Sequence, residues 1–213
     1  MAKVFLSAGH GGTDHGAVSS GLYEKAINLN ILLACKSELE RHGVQVVCSR
    51  IKDENDPVTQ EVKEANASGA EITLSFHINA GGGDGFEVFH YEPSKEGLKL
   101  AKLCEKYVKH LGQNSRGVKQ GNHLHFIKKT TMPAVLVESF FIDSKDRTIG
   151  DTLSEQNAFG VAYAKAILEY LGITYKIPST KLYKVQVGAY RDKSHADDMK
   201  QRLESAGFDA IVI

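Results

Sequence analysis

The stretch "KVFLSAGHGG", residues 3–12, decides how the rest of the chain is read. It begins as a short apolar run and ends in glycines, the pattern of a buried strand that feeds a loop. A helix does not tolerate that much glycine, so His10 is expected on a loop just past the end of a strand. Strand ends of this kind are where binding and catalytic groups are often mounted.

Working outward, the same alternation recurs. "EKAINLNILLACKSELERHG" spaces its apolar residues for an amphipathic helix and stops at Gly43. "VQVVCSR" reads as a strand, and "PVTQEVKEANASG" as a helix with Pro57 near its start. "AEITLSFHINA" is a further strand, with His77 near its end and the glycine cluster "GGGDG" beyond it. "FEVFHY" follows as a strand and "SKEGLKLAKLCEKYVKHLG" as a helix, then "HLHFIKK" and "PAVLVESFFI" as two strands. "SEQNAFGVAYAKAILEYLG" is a long closing helix. Alternating strands and helices predict an α/β fold, a mostly parallel central sheet with helices on both faces. In such sheets, sites gather outside the carboxyl ends of the strands.

The 213 residues suffice for one well-cored domain and a small appendage. Residues 1–174 are read as the main domain, 175–180 (with Pro178 and Ser179) as a linker, and 181–213 as a small β-α-β unit. In that unit "LYKVQVGAY" and "FDAIVI" are the expected strands around the helix "SHADDMKQRLESAG". Hydrophobic residues make up 42% and charged residues 24%, the profile of an ordinary globular protein. Basic and acidic residues balance at 26 each, so no bulk field draws nucleic acid or an anionic membrane. Neither a signal peptide nor a membrane span is legible. The expectation is synthesis in the cytoplasm and action elsewhere after release. Cys35, Cys48 and Cys104 are odd in number and scattered, which reads as free thiols.

Four residues carry candidate chemistry: His10 on its glycine loop, Glu24 at the head of the first helix, His77 at a strand end and Glu138. A hydrolytic zinc site takes about three N or O ligands with an open position, plus a carboxylate to handle the proton of a water. Taken singly, His10 also reads as a hydrogen-bonded surface residue, and Glu24 as a partner for the helix dipole. Glu138 lies between "AVLV" and "FFI", where a carboxylate is costly unless it is paired or used.

Together, "GHGGTDHGA", "GLYEKAINLNI", "LSFHINAGGGDGFEVF" and "MPAVLVESFFID" resemble, in order, the zinc-dependent N-acetylmuramoyl-L-alanine amidases of the Amidase_3 type. These occur in bacterial autolysins and phage endolysins. The resemblance covers residues 1 to about 172. It implies Zn2+ held by His10, Glu24 and His77, with Glu138 as the catalytic acid/base that cuts between N-acetylmuramic acid and L-alanine in peptidoglycan. It also implies release by a holin or by lysis of a mother cell. The chain departs from the family pattern at Glu61, where an arginine is common in the second helix, and at "SFFIDS", where a glycine and an asparagine are common.

The remaining histidines are weaker. His15 reads as support for a ligand or as a solvent-facing turn residue. His123 and His125 alternate on their expected strand, so they would share a face and could offer a substrate contact. "AGGGDGFE" reads as a flexible rim of the substrate groove. Residues 182–213 resemble the first half of a SPOR domain, a module that binds glycan strands of peptidoglycan. Such a half is either cut short or completed by a second chain, making a homodimer. The alternative for the whole protein is a non-catalytic peptidoglycan-binding or targeting role.

Overall fold

The computed structural model describes residues 2–177, 186–208 and 210–212. In chain order its elements are β1 (Lys3–Ala8), β2 (Val18–Ser19), β3 (Leu22–Tyr23), α1 (Glu24–Arg41), β4 (Gln45–Cys48), α2 (Val58–Ala67), β5 (Ile72–Asn79) and β6 (Phe86–His90). There follow α3 (Lys95–Lys109), β7 (Ser115–Gln120), α4 (His125–Lys129), β8 (Ala134–Phe141), a 3-10 turn at Lys145–Ile149, α5 (Leu153–Tyr170) and α6 (Lys193–Ser205).

Six strands form one sheet in the order β4-β1-β5-β8-β6-β7, and β2 pairs with β3 in a small hairpin. Every neighbouring pair in the large sheet is parallel except β6 with β8. The α/β fold with a mostly parallel sheet is therefore observed. β1 and β5 are buried nearly throughout because each lies between two other strands under helices. β4 is shorter and half-exposed because it is an edge.

One face of the sheet packs on α1, α3 and α5. Ile27, Ile31, Leu32, Cys35 and Leu39 of α1 recur at helical spacing and meet Phe159, Tyr163 and Ile167 of α5 over Leu6, Leu74 and Val137. Thr152 and Glu155 form a reciprocal capping box at the start of α5. On the other face Val62 of α2 and Phe126 and Ile127 of α4 pack on Ala134 and Leu136 of β8.

Three expectations are corrected. Residues 123–129 are not a strand: α4 begins at His125, and the neighbouring strand is β7, whose "SRGVKQ" is too polar to stand out as one. His123 and His125 therefore share no strand face; both are exposed, and the His123 ring packs edge-on against Phe89. The glycine cluster is not a loose rim. The Asp143 carboxylate accepts from the backbone N–H groups of Gly81 and Gly82 at 2.8 and 3.0 Å, and Asp146 accepts from Gly85 at 2.8 Å.

The chain divides into two compact units, Met1–Lys176 and Ile177–Ile213. Within the first, Tyr175 stacks on His42 at 5.2 Å and the Lys176 N–H donates to His42 Nε2, so this part of the expected linker is docked. Within the second, α6 forms as expected. Of the expected flanking strands, 182–185, 209 and 213 lie outside the described residues. Residues 186–190, 208 and 210–212 form no strand, so pairing of two chains through a "FDAIVI" edge has no strand to build on among the described residues. No described helix is long and apolar enough to cross a membrane.

Candidate metal centre

The sheet brings together what the sequence holds far apart. His10 sits two residues beyond β1, Glu24 opens α1, and His77 on β5 is paired in register with Glu138 on β8. One ligand atom each from His10, Glu24 and His77 lies within 4.8 Å of the others, a spacing that can hold a metal ion. Glu24 Oε1 is the pivot, 3.2 Å from His10 Nε2 and 3.1 Å from His77 Nδ1.

The backbone is shaped around this cluster. His10 itself adopts φ 66°, a left-handed conformation that costs a non-glycine residue about 1 kcal/mol and is tolerated where the surroundings hold it. A Cβ on Gly9 would fall inside the His77 ring. At Gly16, with φ +63°, a Cβ would stand 2.6 Å from Glu24 Oε2 and 2.7 Å from His10 Cδ2. Those two glycines leave room for the three side chains to converge.

Each group is also oriented from behind. The Ala17 N–H donates to Glu24 Oε2 at 2.8 Å and the Ile78 N–H to Glu24 Oε1 at 3.1 Å. His10 Nδ1 pairs with Asp14 Oδ2 at 2.8 Å, which leaves Nε2 facing the cluster. Asp14, missed in the sequence, fills the supporting place considered for His15. His15 is exposed, its ring 5.4 Å from Tyr23. The signal for Asp14 was present: it stands four residues after His10 in the same loop.

Arg50 was missed as well. It is buried at the end of β4 and donates to the backbone oxygens of Ala8 (2.9 Å), Lys25 (2.7 Å) and Gly9 (3.3 Å). It thereby ties the His10 loop to the start of α1. In α2, where the family pattern would have an arginine, Glu61 instead accepts from Ser7 Oγ at 2.7 Å.

The electrostatics separate the two glutamates. Burial works against the charge on Glu24, but hydrogen bonds with His10 and His77 overcome it and hold this carboxyl well below its usual range. His10 is pushed up to about 9, chiefly by its hydrogen bond with Glu24. Glu138 moves the other way, to about 8, because it is buried and then because Glu24 and Glu87 are negative beside it. Its Oε2 is inaccessible and has no hydrogen-bond partner among the described residues. A tight His-Glu-His set with a proton-holding carboxyl one strand away has the donors of a hydrolytic metal site.

Comparison with known proteins gives the family and the fold. The N-acetylmuramoyl-L-alanine amidase (Amidase_3) family matches residues 4–169, and the SPOR domain family matches residues 162–213. The chain is 36% identical to the N-acetylmuramoyl-L-alanine amidase CwlM of Bacillus licheniformis, over all of this chain and 85% of that protein. It is 34% identical, with the same coverage, to the sporulation-specific N-acetylmuramoyl-L-alanine amidase of Bacillus subtilis. The solved catalytic domain of CwlV from Bacillus (Paenibacillus) polymyxa var. colistinus superposes with a TM-score of 0.76 at 33% identity, covering 82% of this chain and all of that one. With its fold and most of its length matched, this chain belongs to the Amidase_3 family of N-acetylmuramoyl-L-alanine amidases, hydrolases of peptidoglycan.

Proposed function

We propose that the chain cleaves the amide between N-acetylmuramic acid and the L-alanine of the stem peptide, with Zn2+ held by His10, Glu24 and His77 and with Glu138 as acid and base. The observation that carries this reading is the convergence of three ligand atoms next to a carboxyl whose Oε2 has no hydrogen-bond partner among the described residues. Two neutral-capable imidazoles and one carboxylate are donors that suit zinc. When bound, zinc supplies Lewis acidity, polarising the scissile carbonyl and making an attacking water more acidic.

The protein's own groups handle the rest. Glu138, one strand from His77, takes the proton of the attacking water and returns it to the departing L-alanine nitrogen. The second step needs that proton because nitrogen departs as a neutral amine and not as its strongly basic anion. Asp14 and Arg50 hold His10 and its loop still while this happens. In the cell the protein is expected to act on the wall after release, by a holin or by lysis of a mother cell.

Turbidity loss of purified cell walls tests the reading, with added zinc, with chelator and with Glu138→Gln. The wild type should lyse walls and lose activity on chelation. Glu138→Gln should bind metal as before yet fall about 10²–10⁴-fold in rate. Mass spectrometry should find released stem peptides that begin at L-alanine. Full lysis by the variant would remove Glu138 from the mechanism. No lysis by the wild type on any wall would favour a non-catalytic wall-binding role, which the SPOR match over residues 162–213 supports.

A further inference from the structure

The row of the sheet that carries His77 and Glu138 continues past them. Glu138 is paired across β8–β6 with Glu87, so His77, Glu138 and Glu87 stand side by side on one face of three adjacent strands. Neighbouring strands lie about 4.8 Å apart, which puts Glu87 one step beyond Glu138 and β7 two steps beyond.

At that end of the row β7 is bulged. Phe86 pairs with Ser115 but Val88 pairs with Val118, so β7 uses one residue more than β6. The bulge sends two cations onto the same carboxylate oxygen: Arg116 Nε and Lys119 Nζ each lie 2.6 Å from Glu87 Oε1. Glu87 is nearly buried, its side chain 8% exposed, while Arg116 and Lys119 remain 45% and 36% exposed. Asn79, two residues beyond His77, donates to the other oxygen of Glu87 at 3.3 Å.

Two positive charges on one negative leave a surplus of one. Arg116 spends only Nε on Glu87, and its guanidinium carbon lies 5.3 Å from the centre of the Phe141 ring. Among the described residues its two terminal nitrogens have no hydrogen-bond partner. A guanidinium fixed at Nε and against an aromatic ring, with both terminal nitrogens open, is prepared to accept a carboxylate in two parallel bonds.

We propose that Arg116 and Lys119 bind a free carboxylate of the stem peptide about two residues from the scissile bond, so that the peptide leaves that bond across β6 toward β7. This rests on the amidase reading above. The muramic sugar offers no anion once its carboxyl is in the amide, so the surplus charge selects the peptide side of the substrate. The reach also fits. Two extended residues span about 7 Å, and Arg116 leans back toward Glu87 from a strand two steps, about 10 Å, from Glu138.

The test is steady-state hydrolysis of two muropeptides that differ only at the second stem residue, a free carboxylate in one and a carboxamide in the other. The wild type should favour the carboxylate by about ten-fold or more in kcat/KM, the worth of a charge-assisted pair. Arg116→Gln and Lys119→Gln should each shrink that ratio through a higher KM for the carboxylate substrate. Arg116→Lys should recover part of it by keeping the charge without the fork. A wild-type ratio near one, or variants that keep the wild-type ratio while losing kcat equally on both substrates, would overturn the proposal. The second pattern would mean the cations act only through Glu87 on Glu138. Hydrolysis of neither muropeptide nor intact walls would refute the amidase reading itself, and this assignment with it.

Discussion

His10 shows how much of a metal ligand is supplied by its neighbours. Its ring is aimed by the Asp14 carboxylate at 2.8 Å, and its backbone is held at φ 66° by a loop that only glycines on either side permit. Removing Asp14 frees the ring to turn and to choose the other tautomer. Asp14→Ala is therefore expected to weaken metal binding about 10–100-fold with the fold intact, read by competition with a chromophoric chelator. An affinity equal to the wild type would show that the loop alone orients His10. Glu61 offers a second test at this scale. Burial raises its carboxyl to about 7, whereas an exposed glutamate titrates near 4.5. Between those values the unfolded chain has released this proton and the folded chain still holds it. Stability is thus lost as pH rises through that window, and the loss is complete above about 7. Glu61→Gln keeps an acceptor for Ser7 and removes the charge. In chelator-treated protein it should raise stability at pH 8 by up to about 3 kcal/mol, with the gain gone near pH 4, as read by thermal unfolding across pH. A gain that grew toward acid would have the wrong sign.

Among the elements, the β1 loop and the start of α1 act as one piece because Arg50 spans them with bonds to three backbone oxygens. Arg50→Met would remove a donor from each of those oxygens, and although Gly9 O keeps Asn28 Nδ2 at 3.0 Å, the tie between loop and helix would be lost. It should cost about 2–4 kcal/mol in urea denaturation and weaken metal binding along with it. Loss of stability with unchanged metal affinity would confine Arg50 to the fold. Most elements were legible locally. The apolar runs of β1, β5 and β8 and the helical spacing of α1, α3 and α5 follow directly from burial on two faces or one. β7 was not legible, since "SRGVKQ" is an edge strand with polar side chains on a bulge and buries too little to leave a pattern. "HLHFIKK" misled for the opposite reason: its alternation is real, but Phe126 and Ile127 are adjacent residues and both are buried, as on one turn of helix over β8.

For the whole molecule, the buried apolar clusters of the described residues all lie within residues 2–175, and the first compact unit ends at Lys176. A chain ending at Lys176 should hold its melting temperature within about 2 °C, a change under about 1 kcal/mol at this size. It should also keep its activity on soluble muropeptides. A much larger loss would mean that residues 177–213 support the catalytic fold. His10, Glu24, His77 and Glu138 could each be marked in the sequence, because every one stands at a strand end, at a helix start or inside an apolar run. Local pattern placed each of them, since burial and periodicity are written residue by residue, while their reading as one site came from the resemblance of four ordered motifs to the amidase family. That Glu24 Oε1 sits between two histidines, that Asp14 rather than His15 stands behind His10, and that Glu87, Arg116 and Lys119 extend the Glu138 row were decided only by the tertiary structure. These depend on strand order, register and one bulge. Such quantities are set by pairing between segments tens of residues apart, and no single segment carries them.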